Sequence, residues 1–295
     1  MIKILQVRNI DSFVESRRQK TSEKDRKTVQ SILNDVRKNG DSAVKKYERK
    51  FNGRKTSQLR VSEKEIKEAQ SKISRKEVTA LRDMSVHLLH RRKILAIAER
   101  VENRASVYRY FVPIPSVGCY IPGGQARYPS SVVMSVVPAR QAGVKRIVVV
   151  SPPGRDGKID PLTIAAAKMC GATEIYKVGG AQAIAALAYG TKSIPKVDKI
   201  VGPGGKFVSI AKSFVSDQTA IDMVAGPTEL GIIADASSNP ELVALDLISQ
   251  AEHSKDTMCF VITQSKTTAK QIQKSIEKLI PGTERSSIIK ESISK

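Results

Sequence analysis

Gln250 and His253 are the two side chains whose types and spacing best suit a metal or substrate site. They lie near the end of a predicted helix that starts at Asn239-Pro240-Glu241, where a capping side chain, a proline and an acid suit a first turn. Residues three apart share a helix face, so the amide oxygen and the imidazole would point the same way. Zinc needs more ligands than this pair supplies. The alternative is a polar helix end that faces water.

A second pair of histidines, His87 and His90, has the same spacing. Its neighbours are apolar on one side, and Arg91, Arg92 and Lys93 follow directly. A cation is poorly placed beside three positive charges. This stretch therefore predicts an amphipathic helix packed by its apolar residues rather than a metal site.

Three glycine-bearing turns, at 122–124, 179–182 and 202–205, follow predicted strands. From residue 117 onward strands and helices alternate, which is typical of a parallel, doubly wound sheet. Ligands of such sheets bind at the carboxyl ends of the strands. None of the turns is G-x-G-x-x-G or a Walker A loop. A small-molecule site and ordinary turns with structural glycines both stay open.

Residues 1–110 are predicted to be mostly helical and to act as scaffold. Thr21–Asn39 has a start signal and ends before Gly40, and Asp41–Phe51 ends before an Asn-Gly turn. Ser62 is predicted to cap a third helix, with Glu65 at the capping-box position. A long helical pattern then runs from Ser74 to about Val101.

The chain of 295 residues is 40% hydrophobic and carries a net charge of +21. Residues 1–110 hold 29 Lys/Arg against 14 Asp/Glu, so a basic nucleic-acid-binding module is one alternative. The basic residues are scattered along predicted helices, and no aromatic platform accompanies them. Solvated helix faces are therefore favoured, and no nucleic-acid partner is expected.

Three widely spaced cysteines, Cys119, Cys170 and Cys259, form no C-x-x-C pair. This usage favours reduced thiols and a cytoplasmic location. No apolar run is long enough for a membrane span, and no secretory signal is present at the N-terminus, so no membrane partner is expected.

Several stretches together resemble histidinol dehydrogenases. They are SVGCYIPGGQARYPSSVVM, AGVKRIVVVSPP, YKVGGAQAIAALAYGTKSIPKVDKIVGPGGKFV, IDMVAGPTELGIIAD and DLISQAEHSKD. The resemblance covers nearly the whole chain and is strongest from residue 115 to 256. It implies NAD-linked oxidation of L-histidinol to L-histidine through the aldehyde, the last steps of histidine biosynthesis, with a zinc ion that holds the substrate.

The resemblance also implies residue roles. The family's zinc-binding Gln and His, which also contact substrate, match Gln250 and His253. Its substrate-contacting hydroxyl matches Thr228, and its NAD contacts match Tyr120, Gln182 and Gly205. The family often has Asn where Gly205 stands, so glycine leaves only backbone for that contact.

This sequence departs from the family's pattern in one respect. The family's general base, in a Gly-Pro-Glu-His stretch, and two further zinc ligands would follow after Lys295. The sequence contains no Pro-Glu-His, and His253 is its only histidine after residue 90. No catalytic residue is therefore assigned within this chain, which is expected to be an incomplete form, inactive alone; a catalytically dead remnant is the other alternative.

The resemblance implies an α/β fold with two Rossmann-like, doubly wound parallel-sheet units and a helical N-terminal region. One unit would combine residues 1–119 with 229–295, and the other would span 120–228. A homodimer is expected for the full-length form.

Overall fold

The computed structural model describes residues 2–17, 22–53, 58–101, 112–123, 127–154, 156–224, 229–255 and 257–293. The chain divides into two compact units. The small unit comprises Met1–Lys20 with Ala225–Lys295, and the large unit comprises Thr21–Val224. The division expected from the family stays a prediction; the first strand, Ser116–Tyr120, runs across its boundary at residue 119.

The described residues form helices and strands in the following order. The first five helices are α1 Ile10–Arg17, α2 Glu23–Asn39, α3 Asp41–Asn52, α4 Glu63–Ser71 and α5 Arg75–Val101. Then follow β1 Ser116–Tyr120, α6 Pro129–Gln141, β2 Arg146–Ser151, α7 Pro161–Cys170, β3 Glu174–Lys177, α8 Gly180–Tyr189, β4 Lys199–Val201, α9 Lys206–Val215 and β5 Ala220–Ile221. The chain continues through β6 Glu229–Ile233, α10 Pro240–Ala251, β7 Met258–Ile262, α11 Lys266–Leu279, a 3₁₀ turn at Ile280–Gly282 and α12 Ser286–Ile293.

The large unit contains a five-stranded parallel sheet in the order β3-β2-β1-β4-β5. This is the strand order of a Rossmann-like sheet. Val117 of β1 pairs with Ile147 on one side and with Lys199 on the other. The expected α/β class, with parallel strands and a helical N-terminal region, is confirmed.

Both faces of this sheet are covered by helices. Val148 and Val150 of β2 belong to a core with residues of α2, α3, α8 and α9. Ile147 and Val149 belong to a second core with residues of α4 to α7. Successive strand residues point to opposite faces of the sheet. Because helices bury both faces, β2 is a continuous apolar run.

The connecting helices change face midway along the chain. Residues of α6 and α7 pack in the second core, whereas residues of α8 and α9 pack in the first. The chain therefore adds β2 and β3 on one side of β1 and then returns to place β4 on the other side. The gap between the carboxyl ends of β1 and β4 is the topological switch point, where open α/β sheets bind their ligands.

The small unit has a two-stranded parallel sheet, in which Leu230 of β6 pairs with Cys259 of β7. Its core joins Leu247 and Ile248 of α10 to Ile272 of α11 and Ile289 of α12. As predicted, Asn239 caps the start of α10, and its side chain accepts hydrogen bonds from the Glu241 and Leu242 amides. This core fixes α10, which leads to Gln250 and His253.

The helical region before β1 has the predicted caps. Ser62 and Glu65 form a complete capping box at the start of α4. Gly40 and Gly53 end α2 and α3, and both have positive φ angles. Within the described part of the chain, no helix has the length and apolar character that a membrane crossing would need.

Candidate functional site

The glycine-bearing turns meet at the carboxyl edge of the five-stranded sheet. A Cβ atom on Gly123 would lie 3.0 Å from the Ser151 hydroxyl at the end of β2. A Cβ on Gly179 would lie 2.4 Å from the Pro152 side chain. The ends of β1, β2 and β3 therefore approach closely: a side chain at Gly179 would clash, and one at Gly123 would require its neighbours to shift. Gly124, the last residue of the first predicted turn, lies outside the described residues.

The turn after β4 is held against β1 in the same way. Gly202 has a φ of +110°, and a Cβ there would lie 2.1 Å from the Tyr120 carbonyl oxygen. Its amide donates to Oδ2 of Asp222 at 2.8 Å. Lys212 of α9, 3% exposed, donates to the Gly202 carbonyl oxygen at 3.1 Å and also bonds Asp222. The backbone at the switch point is thus fixed from both sides.

No local sequence signal identifies Lys212 or Asp222, because their pairing depends on the position of β5 beside β4. Burial raises the pKa of the Asp222 carboxyl, but hydrogen bonds from Lys212 and from the Gly202 and Met223 amides outweigh this, so its pKa lies below the usual value. Asp222 is therefore a carboxylate at neutral pH, and it compensates the buried ammonium group.

Tyr120, one of the predicted cofactor residues, ends β1 and is 5% exposed. Its hydroxyl oxygen accepts a hydrogen bond from the Gly180 amide at 3.1 Å. Burial raises the pKa of Tyr120 to about 12; the Gly180 bond lowers it, and the charge of Glu48 raises it further. The phenol is neutral at physiological pH and links the end of β1 to the start of α8.

Gln182, the second predicted cofactor residue, is 2% exposed in the first turn of α8. Its Nε2 donates to Glu48 Oε1 at 2.8 Å. The Gly179 amide donates to the same oxygen at 2.9 Å. Glu48 was not predicted as a site residue, although its position four residues after the buried Val44 places it on the apolar face of α3.

Gly205, the third predicted cofactor residue, is the N-cap of α9, with φ −68° and ψ 177°. Any residue can adopt this backbone conformation. A Cβ at Gly205 would have no other atom within 4 Å, so a side chain would project into open space. The structure thus brings Tyr120 and Gln182 together around the start of α8 and places Gly205 at the start of α9.

Gln250 and His253 lie at the end of α10 in the small unit. The helix ends at Ala251, so the expectation that helical geometry includes His253 is wrong in this detail. The chain nevertheless continues to turn, because the His253 amide donates to the Gln250 carbonyl oxygen at 3.2 Å. Gln250 is half-buried and His253 is exposed.

The imidazole of His253 is oriented by the helix end, since its Nδ1 lies 2.9 Å from the Ser249 carbonyl oxygen. A carbonyl oxygen only accepts, so Nδ1 carries a proton, and in the neutral imidazole Nε2 then has the free lone pair. This tautomer can bind a metal ion through Nε2. Among the described residues no group of three or more His, Cys, Asp or Glu side chains could hold a metal ion. Gln250 and His253 have donor atoms of kinds that zinc accepts, but these two side chains are fewer than a zinc site requires.

The remaining side chains named in the sequence predictions are His87, Thr228 and the three cysteines. His87 Nδ1 lies 2.8 Å from the Asp83 carbonyl oxygen within α5. Thr228, the predicted substrate-contacting residue, lies outside the described residues. The three cysteines are unpaired. Burial, and secondarily the charge of Asp222, raises the pKa of Cys119 to about 12, which leaves a neutral and unreactive thiol.

The strand order and the edge at its switch point define a Rossmann-like α/β protein. The sequence model of the histidinol dehydrogenase family matches residues 15–295. The chain therefore belongs to the histidinol dehydrogenase family, as its motifs indicated.

Individual relatives agree with the family match. The histidinol dehydrogenase of Methanocaldococcus jannaschii is 45% identical over 266 residues, which are 89% of this chain and 62% of that protein. The Bacillus licheniformis protein is 43% identical over 275 residues, 92% of this chain and 65% of its own length. The crystal structure of the Elizabethkingia anophelis protein matches with a TM-score of 0.78 and 32% identity, over 94% of this chain and 65% of that one. The chain thus spans less than two thirds of the length of these relatives.

Proposed function

We propose that this chain provides the cofactor-binding unit and part of the zinc site of a histidinol dehydrogenase. The reaction is the oxidation of L-histidinol to L-histidine through L-histidinaldehyde, with NAD⁺ as the hydride acceptor. The observation that carries this proposal is the family match over residues 15–295, together with 45% identity to the M. jannaschii protein.

NAD⁺ is proposed to bind at the carboxyl edge of the sheet in the large unit. When bound, it supplies the hydride acceptor, and the protein supplies position. Tyr120 and Gln182 support this assignment, since both are buried polar side chains that meet at the first turn of α8. Gly205 lacks a side chain but leaves the amides at the start of α9 open to close approach.

Zinc is proposed to bind Gln250 and His253, with further ligands from residues outside the described ones. An amide oxygen and an imidazole nitrogen are both donors that zinc accepts. Zinc would hold the imidazole and amino groups of histidinol and would not itself change oxidation state. The Nδ1 bond to Ser249 supports the role of His253, because it leaves Nε2 as the metal-facing nitrogen. Thr228 stays the proposed substrate-contacting hydroxyl.

No base for the reaction is assigned among these 295 residues. The proton acceptor of the family lies in a Pro-Glu-His stretch, which is absent from this sequence. A site without its general base typically loses about 10²–10⁴-fold in rate. We therefore propose that the chain binds NAD⁺ but does not turn over L-histidinol alone. A cytoplasmic location fits the three unpaired cysteines, and the full-length form is proposed to be a homodimer.

The test uses the purified 295-residue chain. NAD⁺ is titrated calorimetrically, and NADH formation is followed spectroscopically with L-histidinol, with and without zinc. The expected result is saturable NAD⁺ binding that is weakened by Gln182→Ala, without NADH formation. Absence of NAD⁺ binding by the folded chain would contradict the cofactor assignment, and turnover would contradict the proposed inactivity.

A further inference from the structure

Glu48 is a fully buried carboxylate in α3, a helix with more basic than acidic residues, and 0% of its surface is exposed. A carboxylate is taken out of water only where hydrogen bonds or charges compensate it. The proposed function gives Glu48 no part. Its side chain nevertheless ends at the first turn of α8, beside two of the proposed cofactor residues.

One oxygen of Glu48 accepts two hydrogen bonds, from the Gly179 amide at 2.9 Å and from Gln182 Nε2 at 2.8 Å. The two ends of a glutamine amide differ, since the NH₂ group only donates and the oxygen only accepts. A carboxylate can bond only the NH₂ end. Glu48 therefore fixes which way the Gln182 amide faces.

As a consequence, the Gln182 oxygen faces away from Glu48. This Oε1 is buried and has no hydrogen-bond partner in the part of the chain that the structure describes. A buried acceptor without a partner costs about 1–3 kcal/mol, so a ligand that donates to it gains this energy. Beside it lies Gly180, at φ +61°, where a Cβ would stand 2.8 Å from Oε1. Because Gly180 has no side chain, the Gln182 oxygen can occupy this position beside the start of its own helix.

Glu48 also places a negative charge at the start of α8. The amino end of a helix favours an anion, and here the protein supplies its own. An amide oxygen only accepts hydrogen bonds, and a pyrophosphate has no proton to donate at neutral pH. The unpartnered Gln182 oxygen therefore suits an uncharged donor group of a dinucleotide.

We propose that Glu48 is a positioning residue that presents Gln182 Oε1 as the acceptor for an uncharged hydrogen-bond donor of the cofactor. This inference rests on the proposed NAD⁺ site. The donor is a ribose hydroxyl, the adenine amino group or the carboxamide NH₂ of the nicotinamide. Glu48 acts through Gln182 and has no contact of its own with the cofactor.

The test is a double-mutant cycle on the 295-residue chain, with NAD⁺ affinity measured by titration calorimetry. Glu48→Gln can bond either end of the Gln182 amide, so the fixed orientation is lost. We expect it to weaken NAD⁺ binding about tenfold, the effect of one good hydrogen bond. In the Gln182→Ala background the same substitution should change affinity less than about twofold. Equal losses in both backgrounds would show a general structural effect and overturn the proposal.

A matched control is Glu174→Gln at the opposite edge of the sheet. Glu174 is also a carboxylate with several partners, accepting from Arg146 at 2.6 and 3.1 Å and from the Tyr176 hydroxyl at 2.7 Å. This variant should lose stability and keep its NAD⁺ affinity. If it weakens NAD⁺ binding as much as Glu48→Gln does, the proposal is wrong. Should Glu48→Gln fail to fold, Gln182→Met removes the oxygen at similar length, and unchanged affinity would likewise overturn the proposal.

Two further measurements separate the remaining possibilities. ADP-ribose lacks the carboxamide but keeps adenine and both riboses. An effect of Glu48→Gln that persists with ADP-ribose identifies a ribose hydroxyl or the adenine amino group, and one that disappears identifies the carboxamide; either supports the proposal. Proton exchange of the Gln182 side-chain NH₂, followed by NMR without ligand, reports the Glu48 contact alone. It should be slow in the unaltered chain and fast in Glu48→Gln. If exchange is slow but NAD⁺ does not bind, the hydrogen bond between Glu48 and Gln182 exists and the proposed cofactor is wrong. If exchange is fast in the unaltered chain, that hydrogen bond does not form and the proposal is wrong.

Discussion

The carbonyl oxygen of Tyr120 lies directly against Gly202, so closely that a Cβ on the glycine would stand 2.1 Å from it. The obstacle is backbone on both sides, so no side-chain rotation relieves it. The switch point between β1 and β4 therefore depends on the absence of a single methyl group. This contact places the turn after β4 directly against the last residue of β1.

Gly202→Ala is expected to destabilise the chain by about 2–4 kcal/mol, because it adds the cost of a positive φ to that of a backbone clash. Gly205→Ala is the matched control in the same turn, with φ −68° and nothing within 4 Å of its Cβ. It should change stability by less than about 0.5 kcal/mol. Urea denaturation of both variants measures the difference, and similar stabilities would contradict the contact.

Gly205→Asn is expected to be accepted without strain and to strengthen NAD⁺ binding. The site is an N-cap, where asparagine is at least as favourable as glycine, so stability should rise by a few tenths of a kcal/mol. The new amide can hydrogen-bond the proposed cofactor, which predicts about a three- to tenfold gain in affinity.

Titration calorimetry with NAD⁺ compares Gly205→Asn with Gly205→Ala, which adds a Cβ without a polar group. An equal effect of both substitutions would show that the asparagine amide makes no contact.

Because of Asp222, the stability of the large unit should depend on pH in the acidic range. Its pKa is lowered in the folded chain, and the usual value is 3.8. A lowered pKa stabilises the folded state at pH values above the usual one, and this contribution is lost as the pH falls through the folded value. The free energy of unfolding should therefore decrease as the pH falls below about 4.

Asp222→Asn tests this pH dependence. It leaves the buried ammonium of Lys212 without its carboxylate and should cost about 3 kcal/mol at neutral pH, the lower end of the range for buried pairs because Asp222 is 31% exposed. Its unfolding free energy should also vary less with pH between about 2 and 5. Denaturation curves over this range give both results, and parallel pH profiles for the two proteins would refute the role of Asp222.

Local sequence signals predicted most of the helices and strands, whereas side-chain contacts between distant parts of the chain were not predicted. The Ser62–Glu65 box and the Asn239 cap act within one turn of chain, so their residue types alone identify both helix starts. The bond between Glu48 and Gln182 joins residues far apart in sequence, and no periodicity indicates it.

The same limit applied to the candidate site. Glycines after strands predicted the ligand-binding edge, because strand ends need close backbone approach. The two-residue strand Ala220–Ile221 is too short for a sequence pattern, so the position of Asp222 beside Gly202 could not be predicted. The end of α10 before His253 depends on one turn of local geometry, which helix signals place only within a residue or two.

His253→Ala should weaken zinc binding by the chain, whereas His87→Ala should leave it unchanged. Both imidazoles bond the carbonyl oxygen four residues earlier through Nδ1, at 2.9 and 2.8 Å, so both present Nε2. Only His253 has a glutamine three residues before it. If the pair binds zinc together, His253→Ala and Gln250→Ala should each weaken zinc binding at least about tenfold, since each removes a direct ligand. Calorimetric titration with zinc measures this, with no reaction required. Equal zinc affinities of the His87 and His253 variants would show that His253 contributes no more to zinc binding than an imidazole in the middle of a helix, and the proposed pair would have no special role.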